Sequence, residues 1–333
     1  MPSRLKALIQ YVVILLVTVF LIWFSLRGIT PQEGENKWDY ILGAWQLADK
    51  RWLVVMAVFA ILSHIVRAMR WKMLIDQTGH PVKLANSFLS LMVGYLVNLV
   101  IPRGGEVSRC YNLYKLDQAP VEVSFGTVVV ERVVDLICLL LLISLAFILE
   151  SRRLFSFVET LSLDFSAEGG RVLFLLLLAG GLALVVAVGY WLVRRSPKLS
   201  GFFAKTWKGM KSGLLSVFRL KNKGLFIFQS ALIWVLYFFM SYAVIKAFQT
   251  TSHLGFNAVI SLFGIGSIAM AAPLPGGTGA YHVLVPQGLS FLYGLELKDA
   301  VALTFVFHGW QTFIMIVGGA LSLIITSIIP KKR

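Results

Sequence analysis

The sequence predicts an all-α, polytopic integral membrane helix bundle, and three observations predict it. Of 333 residues, 58% are hydrophobic and only 14% charged, where a soluble domain usually carries about 25% charged residues. The apolar residues gather in runs long enough to cross a hydrocarbon layer, which takes about 20 residues of helix. The basic residues fall between those runs, where short cytoplasmic loops retain Lys and Arg. The formal net charge of +15 and mean hydropathy of +0.79 therefore describe a membrane protein. A nucleic-acid partner is set aside, because these cations punctuate apolar segments instead of forming a basic stripe.

The runs follow in order. Arg4 and Lys6 precede an uncharged stretch, Ala7–Leu26. Its length exceeds that of a signal-peptide core, and no convincing small-residue cleavage site follows, so it reads as a retained span. Further full spans are expected at Trp52–Met69, Val123–Leu149, Val172–Val193, Leu225–Phe248 and Ala300–Ile328. Two other apolar stretches, Leu84–Ile101 and Phe256–Tyr293, are interrupted by Pro and Gly.

Loop charge sets the orientation. Arg4 and Lys6 place the N-terminus in the cytoplasm, and the loop Gly28–Lys50, with Glu33, Glu35, Asp39 and Asp49, lies outside. Arg67, Arg70 and Lys72 mark the inner end of the second span. The segment 194–223 carries nine Lys/Arg and no acid, and Lys331, Lys332 and Arg333 close the chain, so both should also be cytoplasmic. Counting crossings gives the wrong parity unless each interrupted stretch enters and leaves on one face. The expectation is one transmembrane domain over 1–333, with six full spans and two opposed re-entrant helical hairpins at about 84–118 and 256–293. The competing reading makes both hairpins ordinary kinked spans.

The hairpin tips would be Pro102-Arg103-Gly104-Gly105-Glu106 and Pro273-Leu274-Pro275-Gly276-Gly277-Thr278-Gly279. Proline removes a helix donor and glycine permits a sharp reversal. Broken backbone at membrane depth survives only where protein or a wet cavity satisfies it. Two opposed broken hairpins fit an inverted-repeat transporter with its site near the midplane. The basic segment 194–223 carries Leu199, Phe203, Met210, Leu214 and Phe218 near helical spacing. It reads equally as an amphipathic helix on the inner leaflet or as a solvated orientation signal.

Ionic side chains within the apolar spans are costly and mark function by default. Glu131 and Asp135 lie four apart, and Arg132 reaches Asp135 at three apart. This trio reads as a functional cluster or as a helix-locking ion network. Glu106 and Arg109 share a face of a helix starting after Gly104-Gly105, whose free N–H groups would join Arg103 in an anion seat at the base of a lipid-sized cavity. Alternatively Arg103 and Arg109 snorkel to the inner head groups. At the second tip, Pro275, Gly276, Gly277 and Gly279 precede His282, while His308 and Gln311 share a face of the last span. The histidines read as proton relays or head-group ligands, or as hydrogen-bonded packing residues. Arg70-Trp71 reads as an interfacial anchor, with Arg67 one turn deeper.

Motifs for soluble chemistry are missing. The five histidines form no His-Glu-x-x-His pattern, and there is no phosphate-binding loop or Gly-x-Ser-x-Gly elbow. Cys110 and Cys138 suggest neither a disulfide framework nor a metal site, and Cys138 reads as a small core hydrophobe. No cofactor, metal or catalytic residue is assigned.

The ordered motifs Asn98-Leu99-Val100-Ile101-Pro102-Arg103-Gly104-Gly105-Glu106-Val107-Ser108-Arg109, Glu131-Arg132-Val133-Val134-Asp135 and Pro275-Gly276-Gly277-Thr278-Gly279 resemble the lysylphosphatidylglycerol synthase transmembrane-region family, a flippase-like membrane domain. Arg70-Trp71 fits the same pattern, and the resemblance covers essentially the whole chain. One departure is that the family often has an acid shortly after the Gly-rich turn, where this chain has Tyr281 and His282. Full-length synthases also append a soluble aminoacyltransferase domain, and the expectation here is a stand-alone member that does not itself make lysyl-lipid. The resemblance implies a lipid translocase or lipid-handling transporter of the bacterial inner membrane, binding an anionic or zwitterionic head group in a midplane cavity, with membrane lipids (an anionic head group or a polyprenyl phosphate) as its partners. Two rivals are an intramembrane enzyme using Glu106, Glu131 and Asp135, and a non-catalytic membrane partner of a separately encoded transferase.

Overall fold

The computed structural model describes residues 3–29, 36–160, 207–270, 272 and 274–329. They are helical throughout, joined by turns, with no strand among them. The helices are α1 (Ser3–Leu26), α2 (Lys37–Leu47), α3 (Lys50–Asp76), α4 (Leu84–Asn98), α5 (Gly104–Asp117), α6 (Val121–Thr160), α7 (207–214), α8 (Lys223–Ala247), α9 (Phe256–Met270), α10 (Ala280–Tyr293) and α11 (Leu297–Ile328). Among the described residues, α3, α8 and α11 are long and apolar enough to cross a membrane. α1 and α6 span 24 and 40 residues. The span expected at Val172–Val193 lies outside the described residues. Many large apolar side chains face outward, including Leu140, Leu141, Ile227, Phe228, Leu321 and Ile324. An apolar exterior with an equally apolar core is what a hydrocarbon solvent demands, and the chain is a multi-pass helical membrane protein.

α3 and α8 form the most extensive helix pair and run antiparallel. Asp49 N–H donates to the Ala247 carbonyl at one end (2.8 Å), and Arg70 Nη1 donates to Ser230 Oγ toward the other (3.3 Å). This pair defines a Lys50 end and an Asp76 end. The first hairpin, α4–α5, opens at the Asp76 end. Asp76 Oδ1 accepts from Val82 N–H, while the Asp117 carboxylate accepts from Lys83 N–H and Asn86 Nδ2, clamping the two legs together. The second hairpin, α9–α10, opens at the Lys50 end. There Lys246 Nζ donates to the carbonyls of Ser252 and Leu254 in the connection from α8. Tyr293 Oη donates to Ser261 Oγ across its legs (2.8 Å).

The two hairpins thus point at each other. Each is followed by a long helix, so the order long helix, broken hairpin, long helix occurs twice: α3–α4–α5–α6 and α8–α9–α10–α11. The cross-packing follows the same exchange, with α11 against α4 and α6 against α9.

Several details differ from the sequence reading. The loop Gly28–Lys50 contains α2, capped by Asn36 Oδ1 on Trp38 N–H. It lies on α11 through Trp38 against Phe305 and Trp45 against Trp310. Of the basic segment 194–223, the described part packs on the bundle. α7 and the turn after it bring Leu214 and Val217 against Leu74, Val130, Leu220 and Phe226, although Phe218 stays exposed. Arg70 and Trp71 are not an interfacial anchor: both side chains are fully buried. Cys138 is half-buried, and the core cysteine is Cys110.

Candidate functional site

The first bend is built by three local devices. Pro102 cannot continue α4, Arg103 takes a left-handed conformation (φ 63°), and Asn98 Oδ1 accepts from Gly105 N–H at 2.7 Å to start α5. Gly105 is dictated by closeness, since a Cβ there would lie 2.2 Å from the Gly94 carbonyl oxygen. The legs therefore touch backbone to backbone, and this brings Arg109 of α5 toward α6.

Around that contact lies a chain of ion pairs. Glu131, on α6, is fully buried and bridges two helices, accepting from Arg109 Nη2 at 2.6 Å and lying 3.5 Å from Arg70 Nη2. Asp135, one turn on, accepts from Arg70 Nη2 at 2.8 Å and from Arg67 Nη2 at 3.1 Å. Arg67 Nη1 also donates to Tyr237 Oη (3.1 Å). Trp71 stacks under the Arg109 guanidinium, 4.6 Å from its centroid, and donates through Nε1 to Thr127 Oγ1. Removing these charges from water costs several kcal/mol per ion, of order, and only mutual pairing of this quality offsets it.

The expected pairings within single helices are replaced by pairings between helices. Arg132 turns away from Asp135 and donates to Glu106 of α5 (2.6 Å). Glu106 and Arg109 do not pair with each other, because each reaches α6 instead. Arg103 is exposed at the bend while Arg109 is buried, so the two do not form one anion seat. Neither does Arg109 snorkel: its charge is spent on Glu131. Arg67 and Arg70 complete the network and were not among the expected site residues. Their three-residue spacing on α3, beside Trp71, is the signal that points to them.

The second bend is built by Pro275 and by Gly276, Gly277 and Gly279, all at positive φ. Gly276 is the position that requires glycine twice over: its φ is +57°, and a Cβ on it would meet Leu99 Cδ2 of the first bend at 2.9 Å. His308 Nε2 lies 3.0 Å from the Gly276 carbonyl oxygen, so this nitrogen carries the proton and donates. His282 Nδ1 accepts from Gly279 N–H (3.4 Å), and Ser25 Oγ of α1 donates to the His282 carbonyl (2.5 Å). The two imidazoles meet edge to face with centroids 4.8 Å apart, and Phe305 closes on His282 at 4.3 Å. His282 and His308 are brought together, whereas Gln311 lies half-buried beyond them and bonds to neither ring. Among the described residues no group of His, Cys, Asp or Glu is arranged to hold a metal ion.

The chain matches the family described as "Lysylphosphatidylglycerol synthase TM region" over residues 8–319. Over 100 residues it is 33% identical to the UPF0104 membrane protein MJ1595 of Methanocaldococcus jannaschii, which is 29% of this chain and 30% of that protein. The alignment thus spans under a third of the relative's length. No solved structure matches. The chain belongs to the lysylphosphatidylglycerol synthase TM-region family.

Proposed function

From that membership, we propose that the protein is a flippase-like lipid translocase or lipid-handling transporter of the bacterial inner membrane, with both termini cytoplasmic. The two hairpins enter the bilayer from opposite faces as re-entrant elements of an inverted repeat. An anionic or zwitterionic lipid head group passes near Arg103, Arg109 and Arg132 while its acyl or prenyl tails stay in the bilayer. Head-group movement past the bends is downhill or ion-coupled, with His282, His308 and Glu106 as the proton carriers.

The observation that carries this reading is the meeting of the two bends at Leu99 and Gly276, beside a buried ion network. Opposed broken helices in that relation match the transporter plan in which alternating access turns on the repeat interface. The paired state of the carboxylates favours transport over covalent chemistry. Glu131 and Asp135 each hold two guanidinium groups, which leaves neither poised as a general acid or base.

Reconstitution into vesicles of labelled phospholipids and polyprenyl phosphates tests the proposal. Translocation of at least one of these lipids above that of empty vesicles is expected. Rates equal to empty vesicles for all of them, with the protein correctly inserted, would remove the transport reading.

A further inference from the structure

The ionic network is not electrically balanced. It holds four guanidinium groups (Arg67, Arg70, Arg109 and Arg132) against three carboxylates (Glu106, Glu131 and Asp135), which leaves one positive charge over. Three of those cations are buried. Arg132 is the outlier, with 44% of its side chain exposed. The neighbouring positions are largely apolar: Val107 on α5 and Val133, Leu136 and Ile137 on α6 are exposed, as are Val100 and Ile101 on the first bend beside Arg103. A guanidinium opening onto hydrocarbon is costly unless a counter-charge meets it there. Glu106 supplies that counter-charge through Oε1, and its Oε2 is buried with no hydrogen-bond partner. One exposed guanidinium and one unused acceptor therefore sit together at the edge between α5 and α6.

We propose that this edge is a lateral port for a phosphodiester-bearing lipid head group, with the phosphate on Arg132 and a hydroxyl of the same head group on Glu106 Oε2. The proposal rests on the lipid-handling reading and locates where the lipid engages the protein. Arg132 exchanges its Glu106 partner for the phosphate, so the Arg132–Glu106 pair holds the port when it is empty. Charge balance sets the ligand class, since one monoanion neutralises the network. The apolar rim sets its source, because a tail-bearing anion gains from Val100, Val107 and Leu136 where free phosphate does not.

The test is binding to the purified full chain in detergent, with three probes: dihexanoyl phosphatidylglycerol, inorganic phosphate and dihexanoylglycerol. The phospholipid is expected to bind saturably, phosphate about tenfold or more weaker, and the diacylglycerol not to compete. Arg132→Gln is expected to weaken phospholipid binding about tenfold or more, while Arg132→Lys stays within about threefold of wild type. Equal competition by the diacylglycerol, or unchanged binding to Arg132→Gln, would overturn the port. Phosphate binding as tightly as the phospholipid would make it a free-anion site and overturn the lipid assignment. If Arg132→Gln does not fold, wild type suffices: a head-group photoprobe on phosphatidylglycerol should label 100–107 and 132–137, and labelling confined elsewhere overturns the proposal. Binding that survives without translocation removes the transport reading alone. Translocation unaffected by Arg132→Gln, with binding unaffected too, removes the port alone.

Discussion

Leu99 of the first hairpin packs against Gly276 of the second, so closely that a methyl group added to Gly276 would sit 2.9 Å from Leu99 Cδ2. The two helix breaks are therefore one structural unit, although 177 positions separate them in the chain. Hydrogen bonding is closed on both sides of this contact, by Asn98 on Gly105 N–H and by His308 on the Gly276 carbonyl. At each bend a backbone group freed by the break is met by a side chain, from the preceding helix in the first and from α11 in the second.

Glu131→Gln leaves the Arg70 and Arg109 guanidiniums facing a neutral amide in the interior. Breaking a fully buried pair by removing one partner costs about 3–5 kcal/mol, so a large loss of thermal stability in detergent is expected. Arg132→Gln, at the exposed edge, should cost less stability than Glu131→Gln. Equal losses in the two variants would contradict the placement of Glu131 at the centre of the network.

Gly105→Ala drives a methyl group into the Gly94 carbonyl and the Asn98 side chain. Overpacking at a backbone contact of this kind costs about 1–3 kcal/mol, read as a lower unfolding midpoint. Gly43→Ala in α2 is the control, since nothing lies within 4 Å of the added atom. There the better helix propensity of alanine should leave stability unchanged or raise it by about 1 kcal/mol.

His308→Phe removes the donor to the Gly276 carbonyl and should cost about 1–3 kcal/mol, the penalty for an unsatisfied buried acceptor. Restoration of the thermal midpoint by His308→Gln, which can still donate, is expected. If Phe and Gln behave alike, that hydrogen bond does not hold the second bend.

The hairpins were legible in the sequence because their breaks are chemical. Pro102 with Gly104-Gly105, and Pro275 with Gly276-Gly277, announce helix ends regardless of context, and the observed legs run Leu84–Asp117 and Phe256–Tyr293, close to the expected bounds. Glu106, Arg109, Glu131, Arg132 and Asp135 were legible as a group because charge in an apolar run is conspicuous. Their partners were not. Helical periodicity reports neighbours three and four positions away on the same helix, whereas Arg132 chooses Glu106 and Glu131 chooses Arg70 and Arg109 across helix interfaces that only the packing of α3, α5 and α6 creates. The burial of Arg70-Trp71 was hidden for the same reason: an Arg-Trp pair at a helix end looks like an interfacial anchor until the facing carboxylates are in place. Helix α2 escaped because its apolar face, Ile41 with Trp38 and Trp45, is short and mixed with Asp39 and Gln46.

The depth of the two bends in a bilayer tests the central claim most directly. Spin labels at Val100→Cys and Leu274→Cys, each in a background with Cys110 and Cys138 replaced by Ala, report access to lipid-soluble oxygen against water-soluble nickel complexes in nanodiscs. The account predicts that both labels collide preferentially with oxygen, at depths near the centre of the hydrocarbon layer. Preferential collision of either label with the aqueous nickel reagent would place that bend at the surface, and the opposed re-entrant arrangement would be wrong.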